Sequence, residues 1–146
     1  MFKYPRGQKQ IIRKRYIRHK ATLINELRFY NESKKELLEI EEDIINSSFK
    51  GESGMPKSTD IHSVTENKAI ELYERKKELE KIIKAIDILK NSLEKDKHKY
   101  FFKLRYEEGR TYSYISCVTG DWVSMLEKIE NDIAMELGIL LGWIKI

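Results

Sequence analysis

Leu72, Leu79, Ile86 and Leu93 recur every seven residues, and this repeat restricts the fold more than any other feature of the chain. Seven residues are two helical turns, so the repeat draws one apolar stripe along a helix, and that stripe must be buried against another helix. Ala69 and Ile83 widen the stripe on one flank, and Ile82 and Leu89 on the other. A second amphipathic stretch, residues 17–46, precedes it. There Ile17, Ile24, Leu38 and Ile45 lie on one seven-residue grid, with Leu23, Leu27, Tyr30, Leu37 and Ile44 in the adjoining stripe. Asn31, Lys34 and Glu41 interrupt that seam, which favours a short helical hairpin over a strict coiled coil. Each helix spans about 45 Å if unbroken. Between them, Ser47, Ser48, Gly51, Ser53, Gly54, Pro56 and Ser58 mark residues 47–62 as a turn-rich linker. Ser63 and Glu66 have the spacing of a capping box and predict the start of the second helix. Leu72, Leu79, Ile86 and Leu93 are thus the expected hairpin or oligomer interface, with a dimer as the favoured assembly.

Charge divides the chain differently. Residues 1–25 carry Lys3, Arg6, Lys9, Arg13, Lys14, Arg15, Arg18 and Lys20 and no acid; the rest holds 20 basic and 24 acidic residues. A positive arm, taken as residues 1–16, ahead of an acidic body suggests a polyanionic partner, with double-stranded DNA as the leading choice. Tyr4 and Tyr16, interleaved with these cations, have the ring chemistry to stack on bases. No apolar run approaches the roughly 18 residues of a membrane span, and the basic N-terminus lacks the apolar core of a secretory signal. With one cysteine there is no intramolecular disulfide framework, so the expectation is a reducing, cytoplasmic location without a membrane partner.

From residue 96 the character changes. Asp96–Lys99 reads as a polar break. Tyr100, Phe101, Phe102, Leu104 and Tyr106 then make an aromatic short helix ending near Gly109. Thr111 is placed to cap a helix carrying Ile115 and Val118; Gly120 marks a tight turn, with Asp121 as the expected next N-cap. Residues 122–137 give a last helix, with Leu126, Ile129, Ile133 and Leu137 three and four apart. Leu126, Ile129 and Ile133 are expected to face Ile115 and Leu104. Trp122, Ser124, Met125 and Lys128 are expected to face outward. A short helix, a glycine turn and a longer helix outline a helix-turn-helix in 96–146. The expected fold is therefore all-α: a long helical hairpin over 17–95 followed by a small helix-turn-helix domain.

The segment Leu104-Arg105-Tyr106-Glu107-Glu108-Gly109-Arg110-Thr111-Tyr112, with Ile115 and Gly120, resembles the helix-turn-helix of sigma-factor region 4. Thr65–Leu72 and Ile133-Ala134-Met135-Glu136-Leu137-Gly138 are similar to segments of phage transcriptional activators of the RinA type. The resemblance implies a phage or prophage regulator that activates late packaging and morphogenesis genes by binding promoter DNA, with RNA polymerase as a further partner. The expected DNA contacts are the eight arm cations with Arg110, Trp122, Ser124, Met125 and Lys128. The last helix departs from the pattern: Asp121, Glu127, Glu130, Asp132 and Glu136 oppose a single Lys128, a poor set for approaching phosphates or reading bases. Two alternatives follow, a small terminase-like packaging protein or a protein-interaction adaptor with a degenerate helix-turn-helix.

Nothing in the sequence points to catalysis, a cofactor or a metal. His19, His62 and His98 lack ligand-spaced neighbours, and no phosphate-binding glycine motif occurs. Cys117 reads as a small buried hydrophobe. Phe101, Phe102 and Tyr106 read as core, and the apolar end Gly138–Ile146 as packing on the chain's own helices or a partner.

Overall fold

The computed structural model describes residues 8–51 and 59–145, and among these the chain is all-α, with six helices and no strand. They are α1 (Lys9–Arg28), α2 (Tyr30–Gly51), α3 (Thr59–Ser92), α4 (Asp96–Phe102), α5 (Tyr112–Thr119) and α6 (Val123–Leu140). A π-helical turn, Lys103–Glu107, continues α4. The chain divides into two compact units, Met1–Asn31 with Ile82–Ile146, and Glu32–Lys81. The first carries 19 basic and 11 acidic residues, the second 9 and 13.

In the first unit, α1 begins at Lys9, inside the expected arm, because its apolar stripe starts there. Ile12, Tyr16, Leu23 and Leu27 are buried at intervals of four, seven and four, one face of a 3.6-residue helix. That face packs on α6, where Leu126, Ile129, Ile133 and Leu137 are buried together with Ile115 and Leu104, as the spacing predicted. A β-carbon at Gly138 would come 2.6 Å from Ile144 Cδ1 and 2.9 Å from Leu23 Cδ1, so the missing side chain lets α1 and the returning tail close over α6. Ile82, Ala85, Ile86 and Leu89 of α3 and Leu93 just after it join the same core, as do Phe101, Phe102 and Tyr106.

The single helix expected over 17–46 is broken at Phe29, whose amide still donates to the Asn25 carbonyl (2.9 Å). The break rephases the helix, so a grid drawn through it does not describe one face. Ile17, Leu38 and Ile45 are exposed and Ile24 is half-buried; Leu23, Leu27 and Tyr30 are buried instead. Just past the break, Asn31 Nδ2 donates to the carbonyls of Glu107 (2.9 Å) and Tyr106 (3.3 Å). These lie at the end of the π-helical turn, where carbonyls lack helical partners. The residue that looked like a flaw in the seam is therefore a cap for a distant helix end.

In the second unit Ile40 and Leu79 are buried, and Arg75 grips Glu36 with two bonds, Nε–Oε1 at 2.9 Å and Nη2–Oε2 at 3.1 Å. Leu79 is thus core of the single chain, as are Ile86 and Leu93 in the first unit, while Leu72 is half-buried. Of the expected linker, 52–58 lie outside the described residues; the flanking positions belong to α2 and α3. Because α3 starts at Thr59, Ser63 sits a turn inside the helix and does not begin it.

Candidate nucleic-acid interface

Packing one face of α1 onto α6 turns the rest of the helix outward. Lys9, Arg13, Lys14, Arg15, Arg18 and Lys20 are all exposed, and so is Arg28 at the helix end, which the count over 1–25 missed. The sole acid of α1, Glu26, is half-buried. Lys3, Tyr4 and Arg6 lie outside the described residues. Tyr16 is not available to stack on bases: it is buried, and its hydroxyl donates to Asn131 Oδ1 at 2.8 Å. The six described arm cations and Arg28 therefore stand on a helix fixed to the core.

The α5–α6 junction is built by short-range bonds. Thr111 Oγ1 accepts from the Tyr114 amide at 3.2 Å and caps α5 as expected. Gly120 ends α5 at φ 76°, in the left-handed region that glycine enters without steric cost. Ser116 Oγ donates to the Asp121 carbonyl (2.6 Å). Trp122, not Asp121, is the N-cap residue of α6; Asp121 instead pairs with Lys97 at 3.2 Å. Trp122, Ser124, Met125 and Lys128 all face outward, with Trp122 83% exposed. Arg110 is exposed, its guanidinium 4.4 Å from the centre of the Tyr114 ring. Cys117 is exposed beside Val118 rather than buried, because the inward face of α5 is the one that carries Tyr112 and Ile115.

The five acids counted against α6 do not form one face. Glu130 is buried, accepting from Tyr106 Oη at 2.9 Å and from the Tyr112 hydroxyl, with Arg105 Nε at 3.6 Å. Glu136 is buried as well, and Asp132 lies 3.5 Å from the buried His98. His98 is buried because Asp96–Lys99, expected as a break, is the first turn of α4. Only Asp121 and Glu127 remain near the outward N-terminal end of α6. The surface there is apolar rather than acidic: Tyr114, Val118, Trp122, Val123 and Met125.

Acids also act on their phenol neighbours. Burial, then the Glu130 charge and its hydrogen bond, holds Tyr106 far above the ordinary tyrosine range. Burial and the bond to Glu130 raise Tyr112. Burial raises Tyr16, with the Glu130 and Asp132 charges adding to it, and burial with the Asp87 bond raises Tyr30.

A cleft of about 200 Å³ lies where α1 meets the chain after α6, lined by Arg15, Arg18, His19, Trp143 and Lys145. Gly142, at φ 77°, ends α6, and the Trp143 amide donates back to the Gly138 carbonyl at 2.9 Å, a Schellman-type closure. The tail then turns onto α1. Ile144 is buried, Arg15 Nη1 donates to the Lys145 carbonyl, and the His19 and Trp143 rings lie 5.8 Å apart. The sequence reading missed Trp143 and Lys145 as neighbours of the arm cations. They come from the opposite end of the chain, and no local spacing links them to α1.

Among the described residues no helix is long and apolar enough to cross a membrane. The chain matches no family model, no curated protein and no solved structure with which it was compared.

Proposed function

We propose that this chain is a DNA-binding transcriptional regulator of the phage or prophage type, without catalytic activity, working in the cytoplasm of the bacterial host. In this reading α2 and α3 form a helical hairpin, and α5, the Gly120 turn and α6 form a helix-turn-helix. One observation carries it: six arm cations stand exposed on a helix whose opposite face is locked into the core. Fixed cations hold their spacing against a phosphate lattice, and phosphate contacts supply most non-specific affinity for DNA. The three residues between α5 and α6, with glycine in the left-handed region, support the helix-turn-helix outline. The resemblance of 104–112 to sigma region 4 points the same way.

Binding of a labelled duplex, read by fluorescence anisotropy at near-physiological salt, tests the reading. A dissociation constant between roughly 10⁻⁴ and 10⁻⁶ M is expected for an unrelated sequence. A chain that leaves the duplex free at millimolar protein refutes it.

The exposed apolar end of α6 favours a second reading for that end alone. Trp122, Val123 and Met125, with Val118 and Tyr114 of α5, offer little to base edges and much to a protein surface. RNA polymerase is the partner this implies, with α1 holding the DNA. An adaptor without DNA binding keeps only this contact. A terminase-like protein differs in mass, forming rings of many copies where a regulator is a dimer.

A further inference from the structure

We propose that the cleft between α1 and the returning C-terminal tail is a phosphate-binding site. Arg15, Arg18 and Lys145 bring three cations to one opening, His19 adds a ring nitrogen, and no lining side chain is acidic. The convergence is built rather than incidental. Leu23 and Ile144 meet over Gly138, Gly142 reverses the chain, and the Arg15 bond to the Lys145 carbonyl ties the tail to α1. That bond uses one guanidinium nitrogen of Arg15 and leaves the others to donate. Guanidinium groups suit a tetrahedral oxyanion because they donate in a planar fork, and ammonium adds a point charge. Trp143 gives the cleft an aromatic wall, suited to the sugar or base that a nucleotide phosphate carries. At about 200 Å³ the cleft holds a phosphate with part of its attached group.

The phosphate has two sources, a nucleic-acid strand or a free nucleotide. Only the first rests on the DNA-binding reading. The test uses the full chain with Trp122→Phe, which leaves Trp143 as the single tryptophan. Its fluorescence is followed during titration with inorganic phosphate, with adenosine 5′-monophosphate, and with short duplexes with and without a 5′-phosphate, all at constant ionic strength. A saturable change with phosphate is expected. Arg18→Gln with Lys145→Gln should weaken it at least about tenfold, since both charge-assisted contacts are lost. Lys77→Gln with Lys81→Gln, the same charge loss elsewhere, should leave it unchanged. Equal thermal melting of the variants separates loss of the site from loss of the fold.

Phosphate binding without duplex binding upholds the site, assigns it to a free nucleotide and refutes the DNA reading. A Trp143 silent to phosphate, nucleotide and duplex alike, or a phosphate response that survives the Arg18–Lys145 change, overturns the site; duplex binding seen by anisotropy alongside either result leaves the DNA reading standing.

Discussion

Replacing Tyr106 by Phe isolates the buried bond to Glu130 with almost no change in shape. The hydroxyl is buried and donates at 2.9 Å to a carboxylate that is itself 5% exposed. A hydrogen bond to a charged group contributes about 1.5–3 kcal/mol, so Tyr106→Phe should cost about 2 kcal/mol at pH 7. Urea unfolding followed by tryptophan fluorescence measures this cleanly, because Trp122 and Trp143 both belong to the unit that holds the bond. The same variant carries a pH signature. Unfolded tyrosine titrates near 10, whereas the folded chain holds Tyr106 protonated well above that. Above about pH 10 the unfolded chain releases a proton that the folded chain keeps, so wild-type stability falls as pH rises. The loss is at most about 1.4 kcal/mol per pH unit for each such tyrosine. Tyr106→Phe removes one of them. The gap between wild type and variant should therefore shrink by about 1.4 kcal/mol between pH 7 and pH 11. A gap below about 0.5 kcal/mol at pH 7, or one that stays constant to pH 11, refutes the assignment.

Other outcomes follow from the same packing. Leu79→Ala should cost about 2–5 kcal/mol in urea unfolding while leaving the mass by light scattering unchanged, since Leu79 is buried within one chain; a change of mass without loss of stability would make it an interface residue. Gly120→Ala should destabilise by about 1–2 kcal/mol, because φ 76° burdens any side chain, and a neutral result in thermal melting would contradict the left-handed turn. Cys117 should react with a thiol reagent in the native state, as it is exposed; reaction only upon unfolding would bury it again. Trp122→Ala with Met125→Ala should leave duplex affinity within about twofold and weaken RNA polymerase binding in a pull-down, whereas a large loss of sequence selectivity would return base reading to α6.

What could be read from the sequence was local. The spacing of Leu126, Ile129 and Ile133, the cap at Thr111 and the glycine turn at Gly120 all depend on a few neighbouring residues, and each stands in the structure. The all-α class was legible for the same reason. The phase of the first helix was not. A seven-residue grid through Phe29 assumed one uninterrupted helix, and nothing at Phe29, neither proline nor glycine, announces a break. Polar residues misled for a different reason: Asn31 and Glu130 find partners 76 and 24 residues away, so they looked like a flaw and a surface charge until the chain had folded. Half of the cleft was invisible on the same grounds, because Lys145 meets Arg15 across 130 residues.

If α1 presents the phosphate-contacting face, the salt dependence of duplex binding reports it. Lys9, Arg13, Lys14 and Lys20 are exposed on α1 and lie outside the phosphate cleft, so changing all four to Gln spares that site. Each phosphate contact contributes about 0.9 to the slope of log K against log salt. If three or all four contact DNA, the variant's slope should be shallower by roughly 2.7 to 3.6, with unchanged melting temperature. A variant with the slope of the parent would move DNA binding off α1.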